Sequence, residues 1–289
     1  FVLRGAKLVF VDIRKDTLNI DETLIESHIT KKTKAIVAVH YAGVACEMDN
    51  IMEIGNRHQI HVIEDAAQGV NATYKGKFLG TLGHLGCFSF HETKNFISGE
   101  GGALVINDNN LLERAEIIRE KGTNRSKFLN GETDKYTWVD IGSSYLPSEI
   151  IAAFLYAQLE EADTITSKRK KIFQTYFRGL SRLAESREIR LPHTPSDIDG
   201  NAHMFYCIVN SCLKRTKLIQ FLKTKNIMAF FHYIPLHSSP MGKKYGYQNE
   251  VLPITEDLAT RVLRLPCYYE MTMDDCKSVI TSIHEFYNT

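Results

Sequence analysis

The sequence predicts an α/β fold: a large α/β domain over residues 1–150, a connecting helix over 151–184 and a small C-terminal α+β domain over 185–289. Three observations predict it. Two apolar runs, 34–40 and 61–63, are separated by helical patterns at 21–29 and 48–58, and buried strands joined by helices imply a mixed, mostly parallel sheet covered on both faces. Residues 149–183 hold apolar side chains at helical spacing, among them Ile150, Ile151, Phe154, Leu155 and Leu159. Finally, the 289 residues fill one core and leave some over, because single cores stop growing at roughly 250–300 residues.

Taken in order, residues 1–4 read as a helix end stopped by Gly5, with a strand at 7–13 behind it. The helix at 21–29 sets Leu24, Ile25 and Ile29 on one face. Strands at 86–90 and 103–106 complete the first sheet, and a helix at 111–121 ends at Gly122. Pro192, Pro195 and Gly200 mark a loop after the long helix. A strand at 203–209, a helix at 216–226 and a closing helix at 274–287 follow, with no internal repeat. The basic cluster 168–171 reads as a solvated helix face.

Composition removes several function classes. With 44% hydrophobic and 24% charged residues and a net charge of +1, the chain lacks the electrostatic footprint of a nucleic-acid or anionic-membrane binder. Apolar runs such as 35–39 are far too short to span a bilayer, and the opening residues carry no secretory signal. Cys46, Cys87, Cys207, Cys212, Cys267 and Cys276 are scattered without a Cys-x-x-Cys pair, as expected of free thiols in a cytoplasmic protein without a metal site. The start at Phe1, in the middle of a helix, predicts that an N-terminal segment is missing.

The sharpest chemical signal is Val62-Ile63-Glu64-Asp65-Ala66-Ala67-Gln68, an apolar strand that ends in acids. Strand carboxyl ends face the ligand crevice in α/β sheets, so Asp65 is placed to meet a cationic partner; its plainer reading is a helix N-cap. Further on, a strand delivers Ser89, Lys94 stands in the loop behind it, and Gly99-Glu100-Gly101-Gly102 follows. A lysine between an apolar strand and a glycine turn is expected to be packed, which lowers its pKa and makes it an amine nucleophile. The glycine turn lacks the spacing and the strand–helix context of nucleotide loops.

Together, Val39-His40-Tyr41-Ala42-Gly43, Glu64-Asp65-Ala66-Ala67-Gln68, Ser89-Phe90 and Lys94-Asn95 with Gly99-Glu100-Gly101-Gly102 resemble the DegT/DnrJ/EryC1/StrS sugar aminotransferases of the fold-type I pyridoxal-phosphate superfamily. The resemblance covers essentially the whole chain. It implies that Lys94 holds pyridoxal 5'-phosphate covalently, Asp65 pairs with the pyridine nitrogen, Gln68 lies near the ring hydroxyl and Ser89 binds the phosphate. It also implies a nucleotide sugar and L-glutamate as substrates, and a homodimer with shared sites. A related subgroup that removes a sugar hydroxyl has histidine at the lysine position, so Lys94 argues against that dehydration.

Substrate contacts are sought at His40 and Tyr41, which end the strand beside Asp65, and at Arg119, Lys121 and Arg125, which could meet a diphosphate or complement a helix dipole. His232, Tyr233 and His237 flank a proline turn and fit either a sugar pocket or packing. The chain departs from the family at Gly142-Ser143-Ser144-Tyr145-Leu146: where many members carry Asn and Arg to reach the neighbouring subunit's cofactor phosphate, Ser144 retains a donor and Leu146 does not. The family's N-terminal phosphate loop and ring-stacking aromatic have no counterpart after Phe1. Without them, a catalytically inactive dimerising fragment is the alternative expectation.

Overall fold

The computed structural model describes residues 1–246 and 251–288. Strands β1 (Ala35–Val39), β2 (His61–Asp65) and β3 (Leu85–Ser89) run parallel, and β4 (Gly102–Ile106) closes the sheet antiparallel to β3. Helix α1 (Met48–His58) connects β1 to β2. It buries Met48, Ile51, Ile54 and Gly55, a stripe of helical period, and stops at Gln59, which takes the left-handed conformation. Helix α2 (Leu112–Arg119) follows β4.

The predicted single helix over 151–184 is instead three: α3 (Glu149–Glu160) and α4 (Ala162–Gly179), broken at Glu161 with φ −96° and ψ 16°, and a short helix at Ser181–Glu185. The difference has a packing cause. Helix α4 buries Ile165, Arg169, Ile172 and Tyr176 along one stripe, whereas α3 buries nothing. Ile172 and Tyr176 join the C-terminal core, so α4 belongs to the unit that the sequence places after it. That core packs α4 and α6 (Met273–Asn288), with α5 (Cys212–Thr224), on an antiparallel sheet. Its strands are β5 (Ile189–Arg190), β6 (Phe205–Val209), β7 (Phe230–Phe231) and β8 (Val262–Leu265), in the order β7–β8–β6–β5.

The predicted strand at 7–13 does not form. Only single bridges, Leu8 with Gly246 and Ile13 with Ile20, occur there. The segment is held otherwise: the buried Asp12 carboxylate accepts hydrogen bonds from the backbone of Ile254 and Thr255 and from the Thr255 hydroxyl. The predicted helix at 21–29 shrinks to one turn, Glu22–Ile25, capped by Asp21, and a 3-10 turn. A short pairing of Thr73–Tyr74 with Ile198–Asp199 joins the two halves of the chain.

Glu64 is fully buried on β2. Its carboxylate accepts hydrogen bonds from Nε2 of His40 at 2.8 Å and from the backbone N–H groups of Gly80, Leu82 and Gly83 at 2.8, 2.6 and 2.6 Å. Burial pushes its pKa up, but the His40 bond and the backbone donors outweigh burial, and the net shift is downward. The stability it contributes is therefore complete above the ordinary carboxyl value and is lost as pH falls through the lowered folded value. Glu64→Ala leaves three buried backbone donors and His40 unpaired, and should cost roughly 3–5 kcal/mol in urea unfolding at pH 7. A loss below about 1 kcal/mol would show that the turn at 80–83 is held by other contacts.

Candidate active site

The three parallel strands end at one edge. Val39, Asp65 and Cys87 are register partners across β1, β2 and β3, which brings His40, Asp65 and Ser89 to that edge. Strand alternation turns Asp65 to the face opposite Glu64. Oδ1 of Asp65 accepts the N–H of Ala67 at 3.1 Å. Oε1 of Gln68 accepts the N–H of Ala42 at 2.7 Å, leaving the Gln68 amide nitrogen as a donor. Ser89 is the last residue of β3, half-buried, with its hydroxyl at the start of the loop.

Lys94 stands in the loop between β3 and β4. Backbone bonds from Phe90 to Gly101 and from Glu92 to Gly99 extend this hairpin, so the glycine turn serves as its return. Phe96 pins the loop by packing, fully buried, with Phe90 and Ile165. Burial of the Lys94 amine lowers its pKa, the Arg264 charge lowers it further, and Asp65 opposes both. The sequence expectation of a packed lysine with a depressed pKa agrees with this environment.

Sequence reasoning missed Asn201. This buried side-chain amide donates to the carbonyls of Gln68 and Val70, both at 2.8 Å, and the Asn201 backbone carbonyl accepts from Nδ2 of Asn95 at 3.2 Å. The Oδ1 of Asn95 then takes Nδ1–H of His203 at 3.0 Å. Burial and the charges of Arg169, Lys94 and Arg264 hold the His203 pKa well below its ordinary value, so the ring is neutral. A Cβ on Gly43, at φ +77°, would lie 2.0 Å from Oδ1 of Asn201, which explains the glycine there. Asn201 thus ties the Lys94 loop, the Gln68 turn and the end of β1 together.

A cavity of about 1080 Å³ opens beside Lys94 between the two halves, lined among others by Arg169, His203, Met228, Phe230 and Arg264. Of the residues singled out in the sequence, Lys94 alone lines it. His40 is fully buried, with Nε2 on Glu64 and Nδ1 accepting from Cys46, so the ring has no nitrogen left for a substrate. The Tyr41 hydroxyl pairs with Nδ1 of His232, whose pKa burial and the charges of Arg264 and Lys94 push down to about 4. Tyr233 is exposed beside His232, and His237 is buried against Glu256 at 3.1 Å, which favours the packing reading for His237. Arg125 is paired with the buried Glu120, and Arg119, Lys121 and Ser144 are exposed.

The donor set at the sheet edge fits pyridoxal phosphate: an amine with a depressed pKa, a carboxylate with its second oxygen free of hydrogen bonds among the described residues, an amide donor and a hydroxyl.

The family model of the DegT/DnrJ/EryC1/StrS aminotransferase family matches residues 1–284. An uncharacterized protein of Methanocaldococcus jannaschii is 36% identical over 289 residues, covering 98% of this chain and 74% of its own length. GDP-perosamine synthase of Escherichia coli O157:H7 is 32% identical over 285 residues, covering 98% of this chain and 74% of its own. Among solved structures, S. venezuelae DesV in complex with a ketimine intermediate superposes with a TM-score of 0.85 at 31% identity, covering 96% of this chain and 72% of DesV. The chain belongs to the DegT/DnrJ/EryC1/StrS aminotransferase family, whose cofactor is pyridoxal phosphate.

Proposed function

We propose that this cytoplasmic enzyme transfers an amino group from L-glutamate to a nucleotide-linked keto-sugar, dTDP-4-keto-6-deoxy-D-glucose, to make an amino-deoxy sugar for cell-surface polysaccharide. The observation that carries the reading is the half-buried Lys94 amine, with its depressed pKa, in the loop that follows the Asp65 and Ser89 strand ends. The choice of sugar is supported by the stretches 116–126, 135–146 and 232–237, which resemble the dTDP-4-amino-4,6-dideoxygalactose transaminase of enterobacterial common antigen synthesis. The name of the similar GDP-perosamine synthase points to the same class of sugar nucleotide. Arg119 and Lys121, exposed and without a paired carboxylate among the described residues, are cations available for the diphosphate.

Bound pyridoxal phosphate supplies an electron sink for the carbon that loses its proton. Asp65 would hold the pyridine nitrogen protonated, Ser89 and Gln68 would hold the phosphate and ring hydroxyl, and Ser144 would be the donor offered to a neighbouring subunit's cofactor. The Lys94 amine first holds the cofactor. With the cofactor and donor bound, the Nζ of Lys94 would be the group that takes up and returns the proton at the donor α-carbon. A low pKa suits both tasks, because only the neutral amine attacks or accepts a proton.

A homodimer is supported by the surface. Helix α3 is apolar and has no fully buried residue, with Ile150 83% and Phe154 51% exposed, and Trp138, Ile141 and Tyr145 are exposed in the chain before it. An apolar patch this continuous fits a second copy of the chain.

Two outcomes test this reading. Added pyridoxal phosphate should give the absorbance band of lysine-bound cofactor, bleached by L-glutamate and absent in Lys94→Ala, which should also lose roughly 10²–10⁴-fold or more in turnover. The glutamate half-reaction should speed up as pH rises through the lowered Lys94 value and then level off; an unchanged band in Lys94→Ala sinks the assignment. Sedimentation should show a dimer that Ile150→Asp with Phe154→Asp converts to monomers, whereas a monomeric parent would remove the shared-site model.

A further inference from the structure

We propose that Arg264 is the anion-recognition residue of this site and takes the carboxylate of the amino donor. The inference rests on the transaminase reading above and adds the group that selects an amino acid as donor.

Strand β8 sets the side chain's direction. Leu263 and Leu265 are buried in the C-terminal core, so alternation turns Arg264 to the other face of the sheet. Its register neighbours there are Tyr206 on β6 and Phe230 on β7. On that face Tyr206 lies 5.8 Å from the ring of Tyr41, which in turn lies 5.1 Å from His232. Arg264 also lines the cavity that contains Lys94.

The guanidinium is unsatisfied. Among the described residues it makes no ion pair, and its buried Nε has no hydrogen-bond partner. Arg169, which lines the same cavity, gives the contrast: its Nε donates to Ala202 at 3.1 Å and its Nη2 to the carbonyls of His203 at 2.6 Å and Cys267 at 3.2 Å. Arg169 is therefore a structural cation, and Arg264 is not. Nε2 of His232, a ring whose pKa the Arg264 charge lowers, is a second buried polar atom without a partner among the described residues. An unpartnered buried guanidinium nitrogen on a residue that lines the Lys94 cavity marks a place where a polar ligand completes the bonding.

The ligand's charge follows from the lining. Its acids are Glu92, Glu161 and Asp275. Asp275 is engaged by the N–H and hydroxyl of Thr272, and both glutamates are exposed. Lys94, Arg169 and Arg264 thus face each other with no buried carboxylate in the wall, and a bound anion relieves that repulsion. A planar guanidinium matches a carboxylate in two parallel hydrogen bonds. In an amino donor the carboxylate sits on the same carbon as the amine that displaces Lys94, so it must lie beside that lysine. The diphosphate of a nucleotide sugar is attached across the sugar ring from the carbon that is aminated.

The test compares the parent holoenzyme with Arg264→Gln and Arg264→Lys. Single-turnover bleaching of the cofactor band should show a Kd for L-glutamate raised roughly 10- to 100-fold in Arg264→Gln, the loss of one charged pair, with a smaller change in the maximal rate. Arg264→Lys should recover part of it. Calorimetry with 2-oxoglutarate on the cofactor-free chain should show the same order of affinities, while dTDP binding stays within twofold of the parent. Glutamate and 2-oxoglutarate affinities within twofold of the parent in both variants would overturn the proposal, as would weakened dTDP binding alone, which would give Arg264 to the diphosphate. A parent that binds 2-oxoglutarate through Arg264 but never reacts with glutamate would instead sink the transaminase reading and leave the carboxylate site standing.

Discussion

The buried Glu64 carboxylate is the constraint on which the rest of the site depends. It joins three pieces of chain at one carboxylate: the end of β1 through His40, β2 itself, and the turn at 80–83 that leads into β3. A buried carboxylate without these four donors would be expelled or protonated. With them it fixes the edge of the sheet from below. Asp65 is the next residue, and strand geometry directs it to the opposite face. The acid that supports the edge and the acid that serves the site are thus neighbours in sequence with opposite orientations, and holding one rigid orients the other.

A second constraint acts from the other half of the chain. Asn201 gathers Gln68 and Val70 on its buried side-chain amide and Asn95 on its backbone carbonyl, with Gly43 leaving the room it needs. Lys94 has its neighbour Asn95 clamped on one side and Phe96 packed on the other. Such a loop keeps its lysine in place without a direct hydrogen bond to Nζ, leaving the amine free for chemistry. Rigid neighbours around an unbound reactive group amount to preorganisation achieved by the backbone.

Much of this was legible in the sequence. The apolar runs at 34–40 and 61–63 and the helix at 48–58 appear where the pattern places them, because burial on both faces of a parallel sheet leaves a continuous apolar record. Lys94 and Asp65 were legible from residue type at a strand end and from the resemblance. The strand expected at 7–13 fails because its partners are not in a sheet; Asp12 is claimed by residues 254 and 255, a contact that spans 243 positions and leaves no local trace. The break at Glu161 is hidden because both sides of it keep helical spacing and only their packing differs. His40 was misplaced for a related reason: its position beside Asp65 is local, whereas its bond to Glu64 depends on register. Arg264 carries no motif at all, since an arginine in a short apolar strand reads as an edge residue until the opposite face of the sheet is known.

The electrostatics of the cavity argue for a division of labour among its basic groups. His203 and His232 are kept neutral by burial beside fixed cations, so they act as hydrogen-bonding partners of Asn95 and Tyr41 and do not add charge. Arg169 keeps its charge but its donors are taken by the carbonyls around it. The charge that acts on Lys94 is then a balance between Arg264, which favours the neutral amine, and Asp65, which favours the ammonium. Substrate that brings a carboxylate to Arg264 weakens the first influence, and a cofactor nitrogen paired with Asp65 weakens the second. Under the proposed roles, the proton affinity of Nζ would therefore respond to which ligands are bound.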